Sequence, residues 1–209
     1  MKDTKKSKRF SVPSQSHEIA KGYKKYKWFY TSSGKLVVGG KSAAQNDDLL
    51  KSLKNEYFIM HTSHPGSPFC VIVSELKKVT KKDLEECAIF TGCFSRAWKQ
   101  GKKKTGVDIF KTSQISKEKR MKIGMWGVSG KVKRVKIELK LALTKQKGVL
   151  RAVPEKSVKK KNILLKICPG RIDKKDMFAK FQIELEKDKL NPNELLAALP
   201  AGGVRICNN

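Results

Sequence analysis

Lys102, Lys103 and Lys104 stand in a row just after Gly101, and Lys131, Lys133, Arg134 and Lys136 alternate with apolar residues further along the chain. Side chains of this kind do one sort of chemistry well. An ammonium on a flexible stem reaches a phosphate oxygen without fixed geometry, and a planar guanidinium grips two oxygens together. The lysine triplet reads as a sequence-independent phosphate contact on a loop, and the alternating group as a basic strand face on which RNA can lie. For both, the plain alternative is a solvated surface. Lys99, Lys119, Arg120 and Lys122 extend the same cationic stretch. Trp126 lies between glycines among these cations, where an indole either stacks on an unpaired base or folds back as a lid over the core. Trp98 falls on an apolar helix face and belongs to the core. Arg96 is off that face, placed for a phosphate or for a carboxylate partner.

Other chemistries have little to work with. His61 and His64 with Cys70 or Cys93 match no zinc-ligand spacing, and no CxxC pair supports them. There is no nucleophile elbow, and Gly39-Gly40-Lys41 is too short for a phosphate-binding loop. The residues therefore point to a binding protein without metal or cofactor, and not to an enzyme. The five cysteines (Cys70, Cys87, Cys93, Cys168, Cys207) are scattered, which is expected of free thiols in a reducing, cytoplasmic setting. The longest aliphatic runs are strand-sized, so no membrane span is expected. No motif specifies an oligomeric state.

Charge is distributed unevenly. The 209 residues carry 47 basic and 19 acidic side chains, for +28. Residues 1–27 hold +7 and residues 99–166 hold +18, whereas residues 28–98 and 167–209 are nearly balanced at +2 and +1. A basic stripe on a balanced scaffold is the electrostatic footprint of a polyanion binder.

The elements that must carry these residues follow from periodicity and punctuation. Residues 1–20 are polar, basic and broken by Pro13, and read as a disordered tail. "KWFY" and "LVVGG" read as strands about a turn, "SAAQNDDLLKSL" as a helix, and "YFIMHT" and "FCVIV" as paired buried strands. Thr80 caps a helix in which Leu84, Cys87, Ala88, Thr91, Phe94 and Trp98 share one face, with Gly101 to stop it. "VDIFKT" is a further strand, and "KVKRVKIELKL" one more from Lys131 to Leu141. Residues 144–162 read as a basic linker. Beyond it, "NILLKICPG", a helix in "DKKDMFAKFQIELEKDK", a short helix capped by Asn191 and a last strand "GGVRIC" form a small β-α-α-β appendage. The expected fold is α+β: a central mostly antiparallel or mixed sheet with a long packed helix over residues 21–143, then a small C-terminal α/β extension over residues 163–209.

Three blocks, "KWFYTSSGKLVVGGKSAAQNDDLL", "MHTSHPGSPFCVIV" and the helix ending "FSRAWK", resemble in order and spacing the NFACT-R domain, the RNA-binding domain of the NFACT ribosome-quality-control proteins. "GMWGVSGKVKRVKIELKLAL" looks like that domain's closing segment, so the resemblance covers roughly residues 25 to 143. Its motif positions here are Gln45, Asn46, His61, Gly66, Pro68, Ser95, Arg96 and Trp98. One departure concerns the family's His-Ala-Asp, which reads His61-Thr62-Ser63 in this chain. The large NFACT proteins also carry an N-terminal domain, a helix-hairpin-helix region and a coiled coil that these residues do not include. The resemblance implies a stand-alone RNA-binding form with an extension after residue 143, acting on ribosomal RNA or tRNA and associated with the large ribosomal subunit. Two other functions stay open on the residues alone. One is a tRNA-modification enzyme or subunit with a pocket at His61, Ser63 and His64, and the other a general DNA-binding protein.

Overall fold

In β1 (Lys27–Tyr30), Trp28 and Phe29 point to opposite faces of the sheet, and both are fully buried. A strand buried on both faces must be covered on both. The computed structural model describes residues 16–184 and 191–207. Six strands make the main sheet: β1, β2 (Leu36–Gly39), β3 (Phe58–Thr62), β4 (Cys70–Val73), β5 (Lys104–Lys111) and, after two short paired strands β6 (Ile115–Ser116) and β7 (Gly127–Val128), β8 (Lys133–Glu138). Their order is β1-β2-β4-β3-β5-β8, antiparallel throughout, and this is the expected α+β architecture.

One face of the sheet meets α3 (Lys81–Cys93), where Phe29, Val37, Met60, Ile72 and Val107 pack with Cys87, Ala88 and Phe90. The other face meets α1 (Ser16–Gly22) and α2 (Ala43–Lys51), where Trp28, Val38, Ile59 and Val71 pack with Leu49 and Leu50. Thr80 and Asp83 close the capping box that the sequence predicts. Asp83 also accepts from Thr31 and Ser33, each at 2.6 Å, and so ties the helix start to the first turn.

Four sequence expectations change. The basic tail is shorter than read, since α1 begins at Ser16 and Ile19 is buried; residues 1–15 lie outside the described residues. The helix predicted to run to Gly101 stops at Cys93 and restarts as α4 (Arg96–Lys99), because Ser95 takes the capping role, donating to Gly92 O and accepting from Ala97 N. The strand read from Lys131 to Leu141 breaks after Glu138. From Leu141 the chain enters a second sheet, β9 (Leu141–Gln146), β10 (Val149–Val153), β11 (Leu165–Asp173) and β12 (Gly203–Ile206), ordered β10-β9-β11-β12. The residues read as a linker thus contain a hairpin. Its two-residue turn, Lys147-Gly148, has φ of 51° and 76°, the left-handed geometry that matches strand twist.

The C-terminal residues are not a separate appendage in packing. Leu141, Leu143, Ile167 and Val204, with Phe181 of α5 (Phe178–Glu184) and Leu195 of α6 (Pro192–Ala198), join the same hydrophobic cluster as α3. Asn191 caps α6 as its sequence predicts. Cys168 and Cys207 form a disulfide across the β11–β12 pair, with Cα atoms 5.9 Å apart, so only Cys70, Cys87 and Cys93 are free and the expectation of five thiols is corrected. No helix of the described residues is long and apolar enough to cross a membrane.

Candidate nucleic-acid interface

Strand register sets His61, Asp108 and Arg134 in a row across β3, β5 and β8. Arg134 donates Nε to Asp108 Oδ1 at 2.6 Å and Nη2 to Oδ2 at 3.0 Å, while Ser63 Oγ donates to Oδ1 at 2.9 Å. The Arg134 guanidinium holds the Asp108 carboxyl below its ordinary range. His61 stacks on Phe69 with ring centroids 4.4 Å apart, and its burial keeps its pKa below the usual value. Ser63, at the position where the resemblance has an acid, instead donates to the Asp108 carboxylate of the neighbouring strand.

His61, Ser63, Phe69 and Asp108 floor a cleft of about 590 Å³, walled by the 62–69 loop, the start of α2 and the loop before β7. Lys27 lines it as well. Burial and neighbouring cations, Lys174 foremost, lower the Lys27 ammonium to about 8, and its Nζ lies 4.5 Å from the Phe94 ring centroid. The 62–69 loop is fixed from below by the motif positions. Asn46 Oδ1 accepts from Phe69 N at 3.1 Å, and Gly66 O accepts from Arg96 N. Gly66 has φ of +106°, and a Cβ there would meet Arg96 Cβ and Nε at 3.1 Å, so only glycine fits.

The opposite wall is held by one carboxylate. Asp47 of α2 is 5% exposed and accepts from Gly124 N at 2.9 Å, Trp126 Nε1 at 2.9 Å and Lys117 Nζ at 3.2 Å. Burial pushes its pKa up, but these hydrogen bonds outweigh burial and hold it below the ordinary value. Lys117 also donates to the carbonyls of Lys122 and Met125, which closes the loop around its ammonium. Trp126 is therefore half-buried against the second core cluster with its N–H engaged, and it also lines the cleft. The exposed apolar side chains lining this cleft are Ile123, Met125 and Val128, the first two 69% and 56% exposed.

Lys102, Lys103 and Lys104 behave otherwise. All three are exposed, and none has a carboxylate partner among the described residues. They follow the turn at Gly101, whose φ is +69°, and Lys104 opens β5. Lys99 and Lys103 share a concavity of about 840 Å³ with Arg171 and Arg205, both exposed, from β11 and β12. The charge map gave residues 167–209 only +1, so nothing in a segment sum pointed to these two arginines.

Of the remaining predicted contacts, Lys119, Arg120, Lys122 and Lys131 are exposed on the loop between β6 and β8. Strand alternation puts Arg134 and Lys136 on the face of β8 where Arg134 meets Asp108, and Lys133 on the α3 side, although neither Arg134 nor Lys136 lines the cleft itself. Arg96 is exposed, packs on Gly66 and has no carboxylate partner among the described residues. Trp98 is fully buried, its Nε1 donating to Gly203 O at 3.0 Å across to the second sheet. Sequence reasoning missed Lys27, Asp47, Asp108, Lys117, Arg171 and Arg205 as parts of this surface. Asp108 did leave a signal, being one of only four acids among the 26 charged residues of 99–166.

Comparison with known proteins gives three results. The family model described as NFACT protein RNA binding domain matches residues 25–130. The chain is 29% identical over 197 residues to the archaeal Rqc2 homolog aRqcH of Methanocaldococcus jannaschii, a match covering 89% of this chain and 29% of that protein. The chain thus spans under a third of that relative's length. A match that broad necessarily extends past residue 143, where the sequence alone offered no resemblance. The C-terminal structure of the fibronectin/fibrinogen-binding protein from Streptococcus suis is also similar, with a TM-score of 0.48 and 22% identity over 53% of this chain and 45% of that one. With half its length under the family model and that family's motif residues building the cleft, the chain belongs to the NFACT protein RNA binding domain family.

Proposed function

We infer that this chain is an RNA-binding module, not an enzyme, that engages ribosomal RNA or tRNA in the quality control of translation, in contact with the large ribosomal subunit. The observation that carries the reading is the set of exposed cations Lys99, Lys103, Arg171 and Arg205, which line one concavity from both sheets, with the exposed Lys102 and Lys104 flanking Lys103 in the chain. Family membership supports RNA as the polyanion, and similarity to an archaeal Rqc2 homolog supports the ribosomal setting. Flexible ammonium groups follow a phosphate backbone, while the cleft, with His61, Lys27 and the apolar tip of Ile123 and Met125, suits an unstacked base from a loop. Duplex DNA offers the charge without the unstacked bases.

The test is competition at near-physiological salt between tRNA, ribosomal RNA fragments and duplex DNA of equal length, followed by crosslinking and sequencing of the bound RNA. Structured RNA is expected to win and to return unaltered in length and composition. Equal affinity for duplex DNA would make the protein a general polyanion binder, and conversion of the tRNA would make it an enzyme.

A further inference from the structure

β8 is the last strand of the six-stranded sheet, and its outer edge has no partner among the described residues. The ladder to β5 shows which groups stay open. Ser63 N–H takes the carbonyl of Gly106 on the β3 side, and Leu139 N–H takes that of Lys103 on the β8 side. Backbone groups alternate along an antiparallel strand, so Lys133, Val135 and Ile137 turn toward β5. The N–H and C=O groups of Arg134, Lys136 and Glu138 therefore point outward, and no described residue bonds them.

Beside this edge, on the α3 side, runs a groove of about 720 Å³. Its floor is apolar, from Leu84 and Ile89 of α3 with Val135 and Ile137 of β8, and Val158 and Ile163 form the far wall. The acids of that region are largely spent: Glu85 pairs with Lys156 at 2.7 Å, and Glu155 with Lys166 at 2.7 Å and Lys140 at 3.5 Å. Lys81, Lys133 and Lys160 remain on the rim without a carboxylate, and Lys136 borders the groove at the strand edge while its side chain alternates to the other face.

We propose that the β8 edge is a docking site for an extended acidic peptide of a partner protein, which adds a seventh strand to the sheet. Open main-chain groups at Arg134, Lys136 and Glu138 supply the ladder, and the groove takes every second side chain. The acidic residues between them meet Lys136 on the opposite face, while Lys81, Lys133 and Lys160 at the groove margin add attraction for an acidic chain. A second copy of this chain is a poor occupant, since two such edges bring lysine against lysine. Residues 1–15, with five basic side chains and one acidic, are equally mismatched. The groove lies on the α3 side of β8 and shares only Glu138 with the cationic concavity assigned to RNA, and the proposal stands whether or not that assignment holds.

The probe is a fluorescein-labelled ten-residue peptide alternating Ile with Glu, read by anisotropy against the full chain, with the same composition in two blocks as control. The alternating peptide is expected to bind at micromolar concentration and the block peptide at least about fivefold more weakly. Lys136→Pro removes an outward N–H that the fold does not use, as an edge strand tolerates, and is expected to weaken binding by about tenfold or more relative to Lys136→Gln. The double charge reversal Lys133→Glu with Lys160→Glu alters only exposed side chains and is expected to abolish binding, which keeps the test decisive if the proline variant misfolds. Equal affinity of the proline and glutamine variants, or no loss on charge reversal, overturns the proposal. So does displacement of the peptide by single-stranded oligouridine together with an equal loss of RNA affinity in Lys136→Pro, since the groove would then belong to the RNA surface.

Discussion

The turn at Lys102–Lys104 and the loop from Lys117 to Lys131 are about equally cationic in sequence, yet the structure uses them differently. The turn's lysines are exposed and unpaired. In the longer loop, Lys117 and Trp126 are tied to Asp47, and Arg134 just beyond it is tied to Asp108. Those two carboxylates come from elements far away in the chain. Segment charge therefore counts cations without saying which are free. Free cations can release counterions to a phosphate backbone, while tied ones hold the walls of a cleft.

The comparison is broken most severely by removing what joins its two sides. Trp98 fills the junction between the sheets and donates to Gly203, directly beneath the turn and the Arg171–Arg205 concavity. Trp98→Ala is expected to destabilise the protein by about 3–5 kcal/mol, measured by urea denaturation. A loss below about 1 kcal/mol would mean the second sheet does not depend on the first.

Asp47→Ala strikes the tied loop alone. It leaves the Lys117 ammonium and the N–H groups of Gly124 and Trp126 without their acceptor, for an expected cost of about 1–3 kcal/mol. Amide hydrogen exchange should quicken across residues 117–128 and stay unchanged at 102–104. Because the folded-state pKa of Asp47 lies below its unfolded value, near 3.9, its contribution is complete above about pH 4 and is lost as pH falls through the folded pKa. Loop protection in wild type should follow that acid limb.

The smallest effect concerns Lys27 at the cleft. Its pKa of about 8 means that it discharges between pH 7 and 9. RNA affinity is expected to fall about two- to threefold between pH 7 and 9, and Lys27→Met should be flat over that range. Stability runs the other way. From about pH 8 to the unfolded lysine pKa near 10.4, the unfolded chain holds the extra proton, so wild type should gain stability with rising pH relative to Lys27→Met.

Local signals in the sequence were readable where the physics is local. The Thr80–Asp83 capping box, the Asn191 cap and the doubly buried strands "FIMHT" and "CVIV" all stand as their residues predict. The hairpin at 141–153 was hidden by its lysines, although Lys147-Gly148 is a turn dipeptide. The change of sheet at Leu139–Lys140 leaves no mark, because the apolar alternation continues through it. The Asp47–Trp126 bond joins residues 79 apart, and no spacing rule reaches that far. Thus the family's motif positions were legible, while the partners deciding which cations are free were not.

The central claim is that the free lysines bind RNA phosphate and the tied cations do not. It is tested most directly by the salt dependence of tRNA binding. Each phosphate contact contributes about −0.7 to −0.9 to the slope of log affinity against log salt. Changing Lys102, Lys103 and Lys104 together to Ala is expected to flatten that slope by about two units or more, with the melting temperature nearly unchanged. Lys117→Met and Arg134→Gln should leave it within about half a unit of wild type. An unchanged slope in the triple variant, or equal flattening in the other two, would contradict the account.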